Sequence, residues 1–301
     1  MQTPVAEIGE NVYSPRDRKD NDLAELVTSR CVLRVCCARL CRMASDGTAL
    51  VLLHGLTWSG DTAWQELIPR LSDHHQVYAP TALGHRGGPS VQRRPVTMSD
   101  VVDAAEHYLD ERGLDRPHLV GNSVGGYIAI ELARRGRAAT VCALSPAGFW
   151  SAGDGLQTEV FKVVHKNIAS GRRFRPLAPL LFKSATVRRL GMRDAACHGD
   201  RMSAARIVAI ADDGIASTAV ADDLSASEWQ IQPLNPLPCP VTIAWSEKDA
   251  LLPVAIYRKN AQERLPQATF TVLPGVGHAP MIDDPVLVAR TILAVTGAAK
   301  K

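Results

Sequence analysis

Gly121-Asn122-Ser123-Val124-Gly125 decides the fold through what stands on either side of it. Pro117-His118-Leu119-Val120 before it is a short apolar run of strand length, and residues 126–133 after it follow a helical pattern closed by Gly136. A G-x-S-x-G turn between a strand and a helix is a nucleophile elbow. The turn is so tight that a side chain at Gly121 or Gly125 would collide with neighbouring backbone. Ser123 is thereby pushed out at the C-terminal end of its strand, with the positive end of a helix beneath it.

Outward from the elbow, apolar strands alternate with helices. Ala49-Leu50-Val51-Leu52-Leu53 is a strand ending at His54-Gly55, residues 64–71 read as a helix, and Gln76-Val77-Tyr78-Ala79-Pro80 is the next strand. Thr97 with Asp100 is a capping pattern that opens a helix running to about Gly113. Residues 139–144, 241–245 and 269–273 supply three more strands. Asp284 as N-cap, Pro285 at the first helical position and Gly297 beyond the end frame a last helix. This alternation predicts an α/β fold, a mostly parallel central sheet with helices on both faces.

The alternation stops between Phe149 and about Pro236. Helical patterns near 160–168, 177–190 and 204–211, without a convincing strand, predict an inserted helical cap over 149–236, between core segments 46–148 and 237–301. Such a cap would lie over the C-terminal edge of the sheet, where open α/β sheets bind ligands. Its first half carries nine basic residues from Lys162 to Arg193 and no acid. A solvated basic face, an anionic substrate, an acyl-CoA or an anionic membrane surface all fit that run.

Composition narrows the class. The chain has 301 residues, 46% apolar, with a formal net charge of only +3, so nothing in the overall balance calls for nucleic acid. No run of eighteen apolar residues and no signal-peptide core is present. Seven cysteines, an odd number in a chain this long, point to reduced thiols and a cytoplasmic location. Residues 1–45 form an N-terminal extension of weak pattern, and residues 31–42 hold four of the cysteines in a spacing that matches no zinc motif. That stretch reads as an edge strand, a short helix, or translated sequence ahead of a start at Met43. The oligomeric state is not legible.

A serine nucleophile needs a base, and the base needs an orienting acid. Asp249 in Trp245-Ser246-Glu247-Lys248-Asp249 and His278 in Gly275-Val276-Gly277-His278 each follow a strand at the same sheet edge as Ser123, in the order Ser, Asp, His. Ser123, Asp249 and His278 are therefore the expected catalytic residues. The backbone N–H groups of Leu56 and Val124 are the expected oxyanion donors, with Gly55 letting the first loop bend. His54, Gly55, Phe149 and Trp150 are the expected pocket residues. Asp212, Asp213, Asp222 and Asp223 read as solvated caps or turns, Asp283 and Asp284 as helix caps, and His74 and His75 as surface turn residues. No metal site is expected.

His54-Gly55-Leu56, Leu83-Gly84-His85, the elbow with Gly126, Asp249 with Pro253, and Gly275-Val276-Gly277-His278 together resemble the α/β-hydrolase superfamily, over residues 48–297. The resemblance is closest to bacterial members with a helical cap, and implies serine hydrolase chemistry without metal or organic cofactor. Serine in the elbow, where haloalkane dehalogenases and epoxide hydrolases carry aspartate, separates this chain from those branches. Two departures stand out. Ser246 occupies a position usually held by Gly, and the hairpin ahead of the first core strand is missing unless residues 31–40 supply it. The expected function is hydrolysis of a small carboxylic ester or related acyl substrate through the triad and an acyl-enzyme, and the basic run of the cap admits an anionic substrate. An acyltransferase, a C–C hydrolase or perhydrolase on the same triad, and a ligand-binding homologue of low turnover are the alternatives.

Overall fold

The computed structural model describes Val12–Tyr13 and residues 48–298. In chain order it runs β1 (Val12–Tyr13), β2 (Ala49–Leu53), α1 (Gly60–Trp64), α2 (Ile68–Leu71), β3 (Gln76–Tyr78), α3 (Met98–Glu111), β4 (His118–Asn122), α4 (Val124–Arg134) and β5 (Thr140–Leu144). Helices α5 (Leu156–Phe174), α6 (Ala178–Leu181), α7 (Ala185–Gly191), α8 (Ala204–Ala216) and α9 (Thr218–Ser225) follow without an intervening strand. The chain then returns to the sheet with β6 (Val241–Ser246), α10 (Val254–Arg264), β7 (Thr269–Leu273), α11 (Pro280–Asp283) and α12 (Pro285–Thr296).

The sheet order is β1-β3-β2-β4-β5-β6-β7. All neighbours are parallel except β1, which pairs antiparallel with β3. Side chains alternate across each strand, so Leu50 and Leu52 enter one apolar cluster and Val51 and Leu53 the other. Both faces are covered by helices, which is why β2, β4 and β5 read as unbroken apolar runs. Because the strands run in parallel, their C-terminal ends share one edge. The loops after β2, β4, β6 and β7 all emerge there.

Local signals hold where they rest on backbone chemistry. Thr97 and Asp100 form a reciprocal capping box at α3. Asp284 accepts from the Leu287 N–H at the start of α12, and Gly297 ends it at φ 76°. The expected helix over 64–71 is instead two short helices. Ser59 caps α1 early, with Thr62 completing a capping box, and Pro69 restarts the chain as α2. The expected helix over 177–190 is likewise broken, because Ser184 caps a fresh start at α7. Helix α9, which buries Val220, Ala221 and Leu224, is not among the expected helices. The antiparallel partner of β3 is Val12–Tyr13, whereas residues 31–40, expected in that role, lie outside the described residues. His75, expected on the surface, is fully buried between Thr48 and Thr296.

Candidate active site

Ser123 sits at φ 57°, ψ −117° between β4 and α4, one of two non-glycine residues with positive φ among the described residues. Such a conformation costs about 1–3 kcal/mol and persists only where the surroundings impose it. Here they do. The Ser123 N–H donates to the Leu144 carbonyl at 3.0 Å, and the Ser123 carbonyl accepts from Gly126 and Ala147, each at 3.0 Å. The glycines make the approach possible. A Cβ on Gly121 would stand 2.0 Å from the Gly125 carbonyl oxygen, and one on Gly125 would stand 2.0 Å from that of Leu53.

The acid and the histidine come from the loops that follow β6 and β7. Asp249 Oδ1 accepts from the N–H groups of Leu251 (3.0 Å) and Leu252 (2.7 Å), leaving Oδ2 for His278 Nδ1 at 2.8 Å. A carboxylate only accepts, so Nδ1 carries the proton and Nε2 presents its lone pair. Both side chains are nearly buried. Trp245 Nε1–H donates to the Leu252 carbonyl, fixing the Asp249 loop on its strand. The two loops are stitched together by Glu247 N–H to Leu273, Lys248 N–H to Val276, and the Glu247 carboxylate accepting from Gly275 N–H at 2.7 Å. Gly275 turns at φ +74°, while Gly277 lets the histidine loop pass close to the backbone of residues 195–197.

The loop after β2 is shaped by a histidine. His54 Nε2 accepts from the Ala82 N–H at 2.9 Å, so the ring proton is on Nδ1, which donates to the Gly55 carbonyl at 2.7 Å. In a trans peptide the N–H points opposite to the C=O. Holding the Gly55 carbonyl back therefore turns the Leu56 N–H forward, toward the side of the cavity that Leu56 lines. Gly55 has no positive φ, and a Cβ there would make ordinary contact with Ser123 at 3.5 Å. It is the histidine, and not glycine freedom, that sets this peptide. Burial, and then His85, push His54 down to about 3.

That shift has a consequence for stability. An unfolded His54 titrates at its ordinary value of 6.5, so below that pH the unfolded chain binds a proton that the folded chain refuses. The stabilisation is complete above about 6.5 and is lost as pH falls toward 3, at up to about 1.4 kcal/mol per pH unit. Urea midpoints measured from neutral to mildly acidic pH are expected to fall, and less steeply in His54→Gln. Equal slopes in the two proteins would show that His54 is not the group responsible.

Gly55, Leu56, Ser123, Val124, Trp150 and His278 all line one cavity of about 90 Å³. Its far wall comes from the inserted helices, through Val160, Phe161 and Val164 of α5, with Ala195 and Trp229. Two expected pocket residues are absent from this lining. Phe149 is fully buried against Trp245, and His54 lies behind its loop. Asp249 stands behind His278, also off the cavity. Among the described residues no group of three or more His, Cys, Asp or Glu is placed to hold a metal ion.

The profile of the alpha/beta hydrolase family matches residues 50–291. This chain belongs to that family. It is 32% identical over 213 residues to the epoxide hydrolase EphH of Mycobacterium tuberculosis, covering 65% of this chain and 94% of that protein. It is 28% identical over 248 residues to a dihydrolipoyllysine-residue acetyltransferase component of the acetoin cleaving system of Cupriavidus necator, covering 80% of this chain and 61% of that protein. Among solved structures, 2-hydroxy-6-oxo-6-phenylhexa-2,4-dienoate hydrolase from Rhodococcus sp. strain RHA1 superposes with a TM-score of 0.65 at 18% identity, over 84% of this chain and 91% of that one.

Three further residues organise the site of this α/β-hydrolase. Asn122 donates through Nδ2 to the carbonyls of Leu144 (3.1 Å) and His278 (2.9 Å), tying the histidine to the elbow. Its place inside the G-x-S-x-G turn was the only hint of this. Asp283 is not a helix cap. Its carboxylate accepts from the N–H groups of Gly277 (2.7 Å), Cys197 (2.9 Å) and His198 (2.7 Å), joining the histidine loop to the insertion. Asp213 is not a solvated turn residue either. It is 1% exposed and accepts from Ser59 Oγ, Thr62 Oγ1 and Arg86 Nε, pinning α8 to the start of α1. Asp283→Ala would leave three backbone donors without their acceptor. We expect a loss of about 1–3 kcal/mol by urea denaturation, the cost of stranding the buried Gly277 N–H.

Proposed function

We propose that this α/β-hydrolase is a serine hydrolase of carboxylic esters or related small acyl substrates, working through an acyl-enzyme. The observation that carries the reading is the hydrogen-bonded Asp249–His278 pair at 2.8 Å, with its histidine on the same cavity as the elbow serine. His278 Nε2 takes the Ser123 Oγ proton as Oγ adds to the substrate carbonyl. The oxyanion is received by the N–H groups of Leu56 and Val124, neither of which donates to another group among the described residues. Collapse expels the alcohol, which takes its proton from His278. Water then repeats the addition with the same base and frees the acid. Asp249 keeps the imidazole in the required tautomer and stabilises its cationic form.

The likeness to an epoxide hydrolase does not extend to epoxide opening here. A carboxylate that opens an epoxide leaves an ester, which water can cleave. A serine would leave an ether, with no carbonyl to attack, and turnover would stop at one event. An acyl substrate, by contrast, matches a serine at every step.

The cavity bounds the substrate. It is small, about 90 Å³, and is walled by the apolar side chains of Val160, Phe161 and Val164. In a p-nitrophenyl ester series, acetate to butyrate are expected to exceed decanoate by about tenfold or more in kcat/KM, because each misfitting methylene costs about 1–3 kcal/mol. A long-chain optimum would reject the small-acyl reading.

Acyl transfer is the second reading, favoured by the 80% of this chain that aligns with an acetyltransferase component. Product partition with added alcohols separates the two. Hydrolysis unaffected by alcohol supports the first reading, and an ester product in excess supports the second.

A further inference from the structure

We infer that the surface formed by the end of α5, α6 and α7 is a docking face for an anionic phospholipid bilayer. The inference is independent of the reaction proposed above. Of the eight large hydrophobic residues exposed among the described residues, five lie within residues 174–190: Phe174, Leu177, Leu180, Leu181 and Leu190. Leu180 is 64% exposed and Leu190 59%. Helix α6 buries only Ala178, and α7 buries nothing. These segments are therefore not held as part of the core.

The same stretch is the most basic in the chain. From residue 160 to 193 there are nine Lys and Arg and no Asp or Glu, whereas the whole chain carries a net charge of only +3. The remainder of the chain is accordingly net acidic. Some of these cations are engaged, Lys162 by Glu159, Arg175 by Asp212 and Arg193 by Asp194. Arg188 donates only to backbone carbonyls, and Arg172 to the Thr218 hydroxyl. Arg173, Lys183 and Arg189 are exposed, with no carboxylate partner among the described residues. Aliphatic side chains interleaved with uncompensated cations are the composition of an interfacial segment, apolar tips seated at the acyl boundary and cations at the phosphates.

Other occupants fit less well. A second copy presenting this same face would bring like charges together. A folded partner needs a complementary concavity or a packed aromatic anchor. Here the exposed leucines are spread over two short helices and their connections, and none of them lines the candidate active-site cavity. A fluid headgroup layer requires no fixed shape. Among the described residues no helix is long and apolar enough to cross a membrane, so the contact is peripheral.

The test is co-sedimentation of the full chain with vesicles of phosphatidylcholine alone or with about 30 mol% phosphatidylglycerol, a composition that gives a negative surface potential. Binding is expected only with the anionic vesicles. It should be lost near 1 M salt, where the Debye length is about 3 Å. Removing two surface cations should weaken partitioning by about 25-fold, at roughly fivefold per cation. Arg173→Gln/Arg189→Gln tests that figure, and Leu180→Ser/Leu190→Ser tests the apolar share with charge unchanged. All four side chains are exposed, and near-UV circular dichroism checks that both variants keep the native packing. Absence of binding to anionic vesicles overturns the inference. Equal binding to both vesicle types, or binding unchanged in both variants, also overturns it.

Discussion

Ser123→Ala is expected to lower kcat/KM for a short p-nitrophenyl ester by about 10⁴-fold or more, without loss of stability. The size follows from what remains. On the proposed mechanism the Leu56 and Val124 N–H groups and the cavity still receive the carbonyl, but no group is left to form the acyl-enzyme. Stability is unaffected because no hydrogen bond of the fold among the described residues runs through the Ser123 hydroxyl. The elbow is held by its backbone, through Leu144, Gly126 and Ala147. Asp249→Asn provides the companion result. The amide can no longer fix the histidine proton on Nδ1, and a loss of about 10⁴-fold in kcat is expected, with KM little changed. Steady-state kinetics on purified protein checks both. A Ser123→Ala enzyme with unchanged kcat/KM would remove the serine from the mechanism altogether.

Gly125→Ala is expected to have the largest effect on folding. A Cβ there would lie 2.0 Å from the Leu53 carbonyl oxygen and 2.7 Å from that of His54. Leu53 cannot retreat, because it is paired with Gly121 of β4 on a strand whose preceding residues are also paired with β3. The clash is with backbone, so no rotamer change relieves it. A cost of about 4 kcal/mol or more is expected, against a total stability of about 5–15 kcal/mol for a domain. Gly136→Ala is the control. Gly136 has φ +75° with nothing within 4 Å of the added atom, so only the left-handed conformation is penalised, by about 1–2 kcal/mol. Urea titration followed by tryptophan fluorescence distinguishes them. Equal destabilisation of the two variants would show that close packing at the elbow is not what Gly125 provides.

The small cavity and the basic apolar surface belong to the same inserted helices but to different parts of them. Val160, Phe161 and Val164 turn inward to the cavity, whereas Arg173, Phe174, Leu180 and Leu190 turn outward. Substitutions on the outer face should therefore alter localisation without altering turnover of a water-soluble ester.

Much of this architecture is written locally. The apolar runs of β2, β4 and β5, the glycines of the elbow, the capping box of α3 and the Asp284-Pro285 start of α12 are each properties of a few consecutive residues. Chain order with parallel strands then brings Ser123, Asp249 and His278 to one sheet edge, and that too follows from the pattern of strands. Other features have no local signature. Asp213 meets Ser59 across 154 residues, and Asp283 meets Cys197 across 86. The tautomer of His54 is fixed by the amide of Ala82, 28 residues away. In the sequence these side chains look like ordinary turn and loop residues. Whether a carboxylate is solvated or clamps two loops depends on which N–H groups lie within about 3 Å of it, and that is decided by how the helices pack over the sheet. The elbow needed only its own pentapeptide and flanking elements; the loops that hold the histidine and the Leu56 peptide in place needed the whole fold.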